Sequence, residues 1–175
     1  MRIGDRAEEL RQAFDRSFAE APREEVAHLE HLLLAIRIAG VPYALPLKEL
    51  SGLSTGRRVT PLPTAVAGLL GIAGFRGTLV PVYDMRVLFG YPGTGAPRWL
   101  GLVGKELVIG LAFDDFDGYL RVPPEAITRQ DAEGAPTLVH EVVQAGDLVR
   151  PLVHLPSVID AIKQRARAGV AQKER

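Results

Sequence analysis

A short pattern occurs twice in this chain, and it limits the possible folds more than any other feature does. The first copy starts at Gly77 and reads GTLVPVYD, and the second starts at Gly146 and reads GDLVRPLVH. In both copies the proline stands three positions before a polar residue that can cap a helix, and the two prolines are 70 residues apart. Tyr43 in YALP and Tyr119 in YLRVP form a second similar pair, 76 residues apart. Self-similarity on this scale predicts two copies of one small β unit.

Glycine and proline divide the chain into short segments. The sequence has 18 glycines and 13 prolines, and they bound short apolar runs as they do in all-β domains. Hairpin turns are predicted at Ala39-Gly40, at Arg76-Gly77, at residues 145–147 and in the acidic run DDFDG, residues 114–118. The predicted fold class is therefore mainly β. We expect two barrels of about five strands each, because closing a sheet removes its exposed edges.

An amphipathic helix is predicted over residues 4–21, within an N-terminal segment 1–22. Asp5 can cap its start, and Pro22 ends it. Its apolar residues recur at spacings of three and four, which is the helical period: Ile3, Ala7, Leu10, Phe14 and Phe18. This apolar face packs either on the protein's own core, which we favour, or on a partner.

Two shorter helices are predicted further along the chain. DMRVLFG is typical of one or two helical turns, with Asp84 as the N-cap and Gly90 at the end. SVIDAIKQRARAG predicts a short C-terminal helix that is capped by Ser157 or a neighbour. A charged tail follows over residues 166–175.

Charge and composition exclude several classes of function. The 21 basic and 21 acidic residues cancel, so no strong field attracts the chain to nucleic acid or to an anionic membrane. Cysteine is absent, which excludes disulfides, thiolate zinc sites and cysteine nucleophiles and fits a reducing cytoplasm. No signal peptide is visible, and no apolar run approaches the roughly 18 residues of a membrane span. We therefore expect a cytoplasmic protein without direct membrane insertion.

The histidines and hydroxyl groups do not form a recognisable catalytic or metal-binding motif. The four histidines lack spacings such as H-E-x-x-H. His154, Ser157 and Asp160 have the residue types of a catalytic triad, but they lie within one predicted helix start. Triads are assembled from distant loops, so we expect Ser157 to serve as a cap.

Two stretches of the sequence resemble ligand-binding motifs but do not match them. In the acidic run 114–118 an EF-hand register would place ligand positions on Phe113 and Pro124, so a calcium loop is excluded. The G-x-x-G-x-x-G spacing that begins at Gly71 is not a dinucleotide fingerprint, and a hairpin follows it instead of a long helix. We assign no catalytic, cofactor-binding or metal-binding residue.

Arg76 is a single cation at a predicted hairpin tip. Phe75 precedes it and Gly77 follows it, within a stretch that holds three glycines. Glycines remove side-chain bulk, so another surface can approach closely, and arginine beside apolar residues is typical of interface anchors. Arg76 is therefore either an ordinary surface residue or a contact to a partner.

Three segments resemble the CheW family of chemotaxis coupling proteins. PLPTAVAGLLGIAGFRGTLVPVYDMRVLFG resembles the family signature, in which a proline-containing lead-in precedes a hairpin ending in Leu-Arg-Gly and then an apolar Pro-Val-x-Asp-Leu segment. YALPLKELSGL is similar to the family's first hairpin and following strand, and GLAFDDFDGYLRVP to a later stretch. The resemblance extends from about His31 to Ile162 and is most specific over residues 71–85.

The resemblance implies a fold of two SH3-like five-stranded β-barrels. It also implies a non-enzymatic adaptor that joins the cytoplasmic tip of chemoreceptors to a CheA-type histidine kinase. One barrel would pair with the kinase's regulatory domain, and a groove between the barrels would receive the receptor's helical hairpin. The implied partner-binding residues are Gly71, Phe75, Arg76, Gly77 and Leu50.

Pattern and resemblance together predict boundaries for the parts of the chain. The N-terminal segment with the amphipathic helix is expected over residues 1–22, and the CheW-like domain over residues 28–165. Its two intertwined subdomains are expected at roughly 45–100 and 101–165, with first strands that can be shared between them. The charged tail occupies residues 166–175.

Two positions depart from the family pattern. Gly52 stands where the family has a glutamate, and Gly74 stands where it has an asparagine. Both changes remove polar groups and leave Arg76 as the main charge of this predicted contact surface. We therefore expect a divergent coupling protein. As a coupling protein, it would be recruited to receptor arrays. Two other functions remain open from the residues alone: a small nucleic-acid-binding barrel protein, and a regulatory subunit of an enzyme.

Overall fold

The computed structural model describes residues 30–93, 95–129 and 138–173. The helix predicted over residues 4–21 lies outside the described residues. Within the described part, no helix has both the length and the apolar character needed to cross a membrane.

Eleven strands are present in the described part of the chain. In chain order they are β1 (His31–Ile38), β2 (Val41–Pro46), β3 (Leu50–Thr55), β4 (Leu69–Phe75), β5 (Thr78–Asp84), β6 (Trp99–Val103), β7 (Ile109–Phe113), β8 (Asp115–Val122), β9 (Ile127–Arg129), β10 (Val139–Ala145) and β11 (Leu148–Val153). They form a five-stranded sheet with the order β3-β6-β7-β5-β4 and a six-stranded sheet with the order β8-β1-β2-β11-β10-β9.

Both sheets are built on the same plan. The order β4-β5-β7-β6-β3 in the first sheet corresponds to β10-β11-β2-β1-β8 in the second, and each series is antiparallel, parallel, antiparallel, antiparallel. In each unit, the segment that follows the edge strand, β3 or β8, pairs with the strand at the opposite edge of that unit, β4 or β10. After β3, Thr60 pairs with Ile72 of β4, and after β8, β9 pairs with β10. The predicted mainly β fold with two five-stranded units is confirmed.

The two units are intertwined because the first hairpin belongs to the second unit. β1 and β2 pair with β8 and β11, whereas the first unit is formed by β3 to β7. β6 therefore crosses the boundary that was expected between residues 100 and 101, and the first unit extends to Phe113. The tyrosine pair does not mark equivalent strands, because Tyr43 lies in the central strand β2 and Tyr119 in the edge strand β8.

Three of the predicted hairpins are present with the expected turns. At the β1–β2 and β4–β5 turns both central residues have positive φ, namely Ala39 (53°) with Gly40 (78°) and Arg76 (46°) with Gly77 (82°). Such turns match the right-handed twist of paired strands. The β10–β11 turn begins with Gly146, whose φ is 61°.

The fourth predicted hairpin, in the acidic run 114–118, is wrong. Only Asp114 separates β7 from β8, and these strands belong to different sheets. The run is therefore the crossing from the first unit to the second. Its backbone is bound elsewhere, since the amide of Asp114 donates to the carbonyl of Arg37 (3.1 Å) and β8 pairs with β1.

Arginines neutralise the carboxylates of this crossing. Asp114 pairs with Arg86 (3.4 Å) and also accepts a hydrogen bond from the amide of Ala39 (2.6 Å). Asp117 accepts from Arg37 (3.0 Å) and Arg150 (3.0 Å). A further ion pair joins Asp115 to Arg98. These partners explain why the acidic run has a structural role although it lacks the register of a calcium loop.

A buried ion pair supports the crossing from the side of β5. Asp84 and Arg86 are only 2% and 4% exposed, and two guanidinium nitrogens of Arg86 donate to the Asp84 carboxylate at 2.8–3.2 Å. The hydrogen bond to Asp84 raises the pKa of Arg86, although burial alone would lower it. Breaking such a pair would leave one charge buried without compensation.

Two α-helices and two 3₁₀ turns complete the described chain. α1 is Met85–Leu88, and the Asp84 side chain accepts from the amide of Arg86 (2.9 Å), so the predicted N-cap is confirmed. The 3₁₀ turns are Leu47–Glu49 and Pro124–Ala126. α2 is Leu155–Lys173.

α2 is longer than the predicted C-terminal helix. His154 precedes it, and its Nδ1 accepts from the amide of Ser157 (3.3 Å), so the cap is a neighbour of Ser157. The helix continues to Lys173 and so includes most of the tail predicted over residues 166–175. Arg165 fixes it to α1 by donating to the carbonyls of Val87 and Leu88 at 3.3 and 3.4 Å.

The core has one large cluster and two smaller ones. The large cluster contains residues of both sheets together with α1 and α2. The smaller clusters lie one in each sheet. Side chains of the large cluster that are at most 1% exposed are Leu34, Ile36, Ile38, Leu45, Met85, Val103, Leu111, Phe113, Val153, Leu155 and Val158.

Gly71 should be the least replaceable glycine of β4. Its φ is 144°, and a Cβ there would lie 2.0 Å from the carbonyl oxygen of Thr60. We expect Gly71→Ala to lower the free energy of unfolding by at least about 1–3 kcal/mol, the typical cost of such strain. Gly74→Ala is the matched control, since nothing lies within 4 Å of its Cβ position. Urea unfolding of both variants checks this, and equal stabilities would contradict it.

We expect the stability of the folded protein to depend on pH through Asp117. Burial alone would raise the pKa of Asp117, but hydrogen bonds from Arg37 and Arg150 outweigh it and hold that pKa below its usual range. The stabilisation is therefore present above about pH 4 and is lost as pH falls through the lowered pKa. We expect Asp117→Asn to cost about 1–3 kcal/mol at pH 7. The difference in the free energy of unfolding between the two proteins should narrow as pH falls from 7 to 3, and a constant difference would contradict this account.

Candidate functional site

The predicted contact residue Arg76 lies at the tip of the β4–β5 hairpin. Its side chain is exposed, and its backbone is left-handed with φ 46°. Few residues other than glycine, asparagine and aspartate adopt this conformation readily. The two-residue turn therefore presents the guanidinium beyond the end of both strands.

An open groove lies beside this tip. The tip groove, as we name it, has a volume of about 340 Å³. Its floor includes Phe75 and Val80, which are 8% and 1% exposed, and Arg76 lies at its border. The complete lining is Ser51, Gly52, Leu53, Ser54, Arg57, Phe75, Arg76, Thr78, Val80, Leu102 and Val108.

Arg57 is a second cation of the tip groove, and the sequence interpretation missed it. Its guanidinium carbon lies 4.8 Å from the centroid of the Phe75 ring, and its Nε donates to Ser54 Oγ (3.1 Å). Stacking on an aromatic face favours a cation. The Gly56-Arg57-Arg58 run after β3 was the available indication, but only the fold brings that run next to Phe75.

The structure brings three of the five predicted residues together. Phe75, Arg76 and Gly77 are consecutive at the tip. Gly71 is buried, and Thr60 covers it, so its conformation serves the barrel. Leu50 is half-buried at the start of β3 and lines a different groove.

This second groove lies between the first unit and α2, and we name it the helix groove. Its volume is about 460 Å³. Leu50, Val103 and Ile159 give it an apolar surface, while Lys48, Glu49 and Lys105 provide charge. The remaining lining residues are Ser51, Gly104, Leu155 and Pro156. Ser51 lines both grooves, so the two open surfaces adjoin at β3.

The departures at Gly52 and Gly74 have different surroundings. A Cβ at Gly52 would lie 3.2 Å from Cδ1 of Leu102, so the Leu102 side chain covers the position where the family has a carboxylate. Gly74 is exposed, and its Cβ position is open. The tip groove is therefore apolar at Gly52.

A cluster of two histidines and a serine lies at the start of α2. Ser157 Oγ is 2.8 Å from His154 Nδ1 and 3.2 Å from His140 Nε2, and the two rings are 4.6 Å apart. Asp160 pairs with Lys163 (3.7 Å) and accepts no hydrogen bond from His154 in the described part of the chain. Nowhere in that part do three metal-ligating side chains meet.

Comparisons with known proteins agree with this architecture. A model of the CheW-like domain matches residues 32–163. The crystal structure of scaffolding protein TtCheW from Thermoanaerobacter tengcongensis is similar, with a TM-score of 0.66 and 17% sequence identity, over 71% of this chain and 89% of that one. No curated protein sequence matches the chain significantly. The structural likeness concerns the fold.

Proposed function

The chain belongs to the CheW-like domain family, and on this premise we propose that it is a non-enzymatic adaptor that couples chemoreceptors to a CheA-type histidine kinase. The observation that carries the proposal is the presence of two open grooves with different linings that adjoin at Ser51 of β3. An adaptor needs two surfaces that two partners can occupy together. TtCheW, which shares the fold, is described as a scaffolding protein.

The tip groove is the proposed surface for the regulatory domain of the kinase. It combines an exposed arginine with an apolar floor, and Leu79 nearby on β5 is 69% exposed. Arginine and apolar side chains at the centre of a contact are typical of binding hot spots. This supports the partner-binding role of Phe75, Arg76 and Gly77.

The helix groove is the proposed surface for the helical hairpin of the receptor tip. An amphipathic helix binds by laying its apolar face in an apolar groove. Leu50, Pro156 and Ile159 offer such a surface, and the charges of Lys48 and Glu49 lie beside it. This supports a role for Leu50 in receptor binding, while Gly71 contributes through the shape of the barrel.

Coupling of this kind does not require tight contacts. An interface of roughly 800 Å² per partner gives affinities that include the micromolar range. Receptors and kinases in an array present many copies, so weak contacts reinforce each other. We propose that the protein acts in the cytoplasm and is recruited to membrane-bound receptors through the helix groove.

Arg76→Glu should weaken binding of the kinase and leave the fold intact. A charge at a solvent-exposed turn contributes little to stability, whereas an anchor contributes roughly 1–3 kcal/mol to binding. Arg121→Glu makes the same charge change at an exposed position of β8 and is the control. Calorimetric titration with the regulatory domain of the source organism's CheA-type kinase measures the effect. Equal affinity of wild type and Arg76→Glu would refute the anchor role.

Ile159→Arg should weaken receptor binding selectively. Ile159 is half-buried in the helix groove, so a cation there would oppose an apolar helix face. The control is Gln164→Arg, which places the same group at an exposed position further along α2. Pull-down with a receptor-tip fragment and with the kinase domain separates the two contacts. Loss of both partners at unchanged stability, or of neither, would count against separate grooves.

A further inference from the structure

Two guanidinium groups border the tip groove without a carboxylate among its described lining residues. Arg57 and Arg76 are the charged members of that lining. In the described part of the chain, Arg76 has no hydrogen-bond or ion-pair partner, and the terminal nitrogens of Arg57 have no acceptor. Among the described residues, no carboxylate of the lining balances these two positive charges.

Arg57 is held in place before any partner arrives. Its stacking on Phe75 at 4.8 Å and its hydrogen bond to Ser54 Oγ at 3.1 Å fix both the plane and the Nε edge of the guanidinium. The other edge keeps its N–H donors for an external acceptor. A fixed guanidinium loses little conformational entropy on binding, and its planar donors match a carboxylate.

The carboxylates of the crossing between the units are already occupied by other arginines. Asp114, Asp115 and Asp117 pair with Arg86, Arg98, Arg37 and Arg150. Gly52 lines the tip groove and has no side chain that could carry a charge, and the Leu102 side chain lies against its backbone. These described carboxylates are therefore not available to Arg57 and Arg76, and a carboxylate of the partner would complement the two cations.

We propose that the tip groove binds a carboxylate side chain flanked by apolar residues on the kinase regulatory domain, with Arg57 and Arg76 as its two cationic contacts. The identity of this partner rests on the proposed function, whereas the carboxylate chemistry rests on the groove. The half-buried lining residues Leu53, Leu102 and Val108 receive the apolar neighbours. Their contact excludes water from the charged pair, which strengthens it.

Arg57→Glu tests the second cation. We expect the affinity for the kinase regulatory domain to fall by at least about tenfold, as for a close charge pair at an interface. Arg58→Glu is the matched control, because Arg58 is the next residue, is exposed and is not part of the lining; its effect should stay below about twofold. Arg57→Lys keeps the charge but loses the planar donors and should lie between wild type and Arg57→Glu. Thermal unfolding verifies that each variant is folded.

Charge exchange identifies the partner group. Acidic residues of the kinase domain are changed to arginine one at a time, and one change should restore binding to Arg57→Glu by at least about fivefold while weakening binding to wild type. Wild-type affinity of Arg57→Glu, or the absence of any restoring change, would overturn the proposal.

A peptide measurement separates this proposal from the identity of the partner. Ac-Leu-Glu-Leu-NH₂ and Ac-Leu-Gln-Leu-NH₂ are titrated into the full chain and followed by NMR shifts of Phe75 and of the Arg57 side chain. The Glu peptide should shift these signals more strongly, and added salt should reduce the difference. If wild type does not bind the kinase domain, the proposed function fails while a preference for the Glu peptide still supports the carboxylate site. Equal shifts with both peptides would overturn the site itself.

Discussion

The carboxylate of Asp114 stabilises the point at which the chain passes from the first barrel to the second. It accepts from the amide of Ala39 in the β1–β2 turn and pairs with Arg86, which is anchored on Asp84. One side chain thus joins a hairpin of the second unit to the end of β5 in the first. Because the first hairpin completes the second barrel, the strands of the second unit come from two separate segments of the chain, whereas those of the first unit, β3 to β7, are consecutive.

The two barrels share a strand plan but carry different surfaces. In the first unit, the turn at Arg76-Gly77 presents a cation beside an apolar groove. In the second, the corresponding turn at Gly146-Asp147 carries an acidic residue, and Leu148 and Val149 beside it are each 56% exposed. The two units thus share a framework and differ in the side chains at their turns. This division fits an adaptor, because stability comes from the shared plan while recognition comes from a few exposed positions.

Local patterns predicted local structure well, and long-range pairing was harder to predict. Three turns and the Asp84 cap follow from residue types within a few positions. The acidic run 114–118 looked like a turn because its residues are turn formers, yet its partners Arg37, Arg86 and Arg150 are distant in sequence. Gly71 belongs to the tip motif, but the close approach of Thr60 to its backbone depends on a pairing that the sequence does not show. Arg57 was missed since its stacking on Phe75 exists only after β3 and β4 are placed in one barrel.

The central claim is that the tip groove binds a kinase while the helix groove binds a receptor at the same time. Sedimentation velocity of the full chain mixed with a kinase regulatory domain and a receptor-tip fragment tests this most directly. The account predicts a single faster species that contains all three proteins, with the receptor fragment adding to the kinase complex without displacing it. Release of the kinase domain as the receptor fragment is added would mean that both compete for one surface, and it would contradict the account.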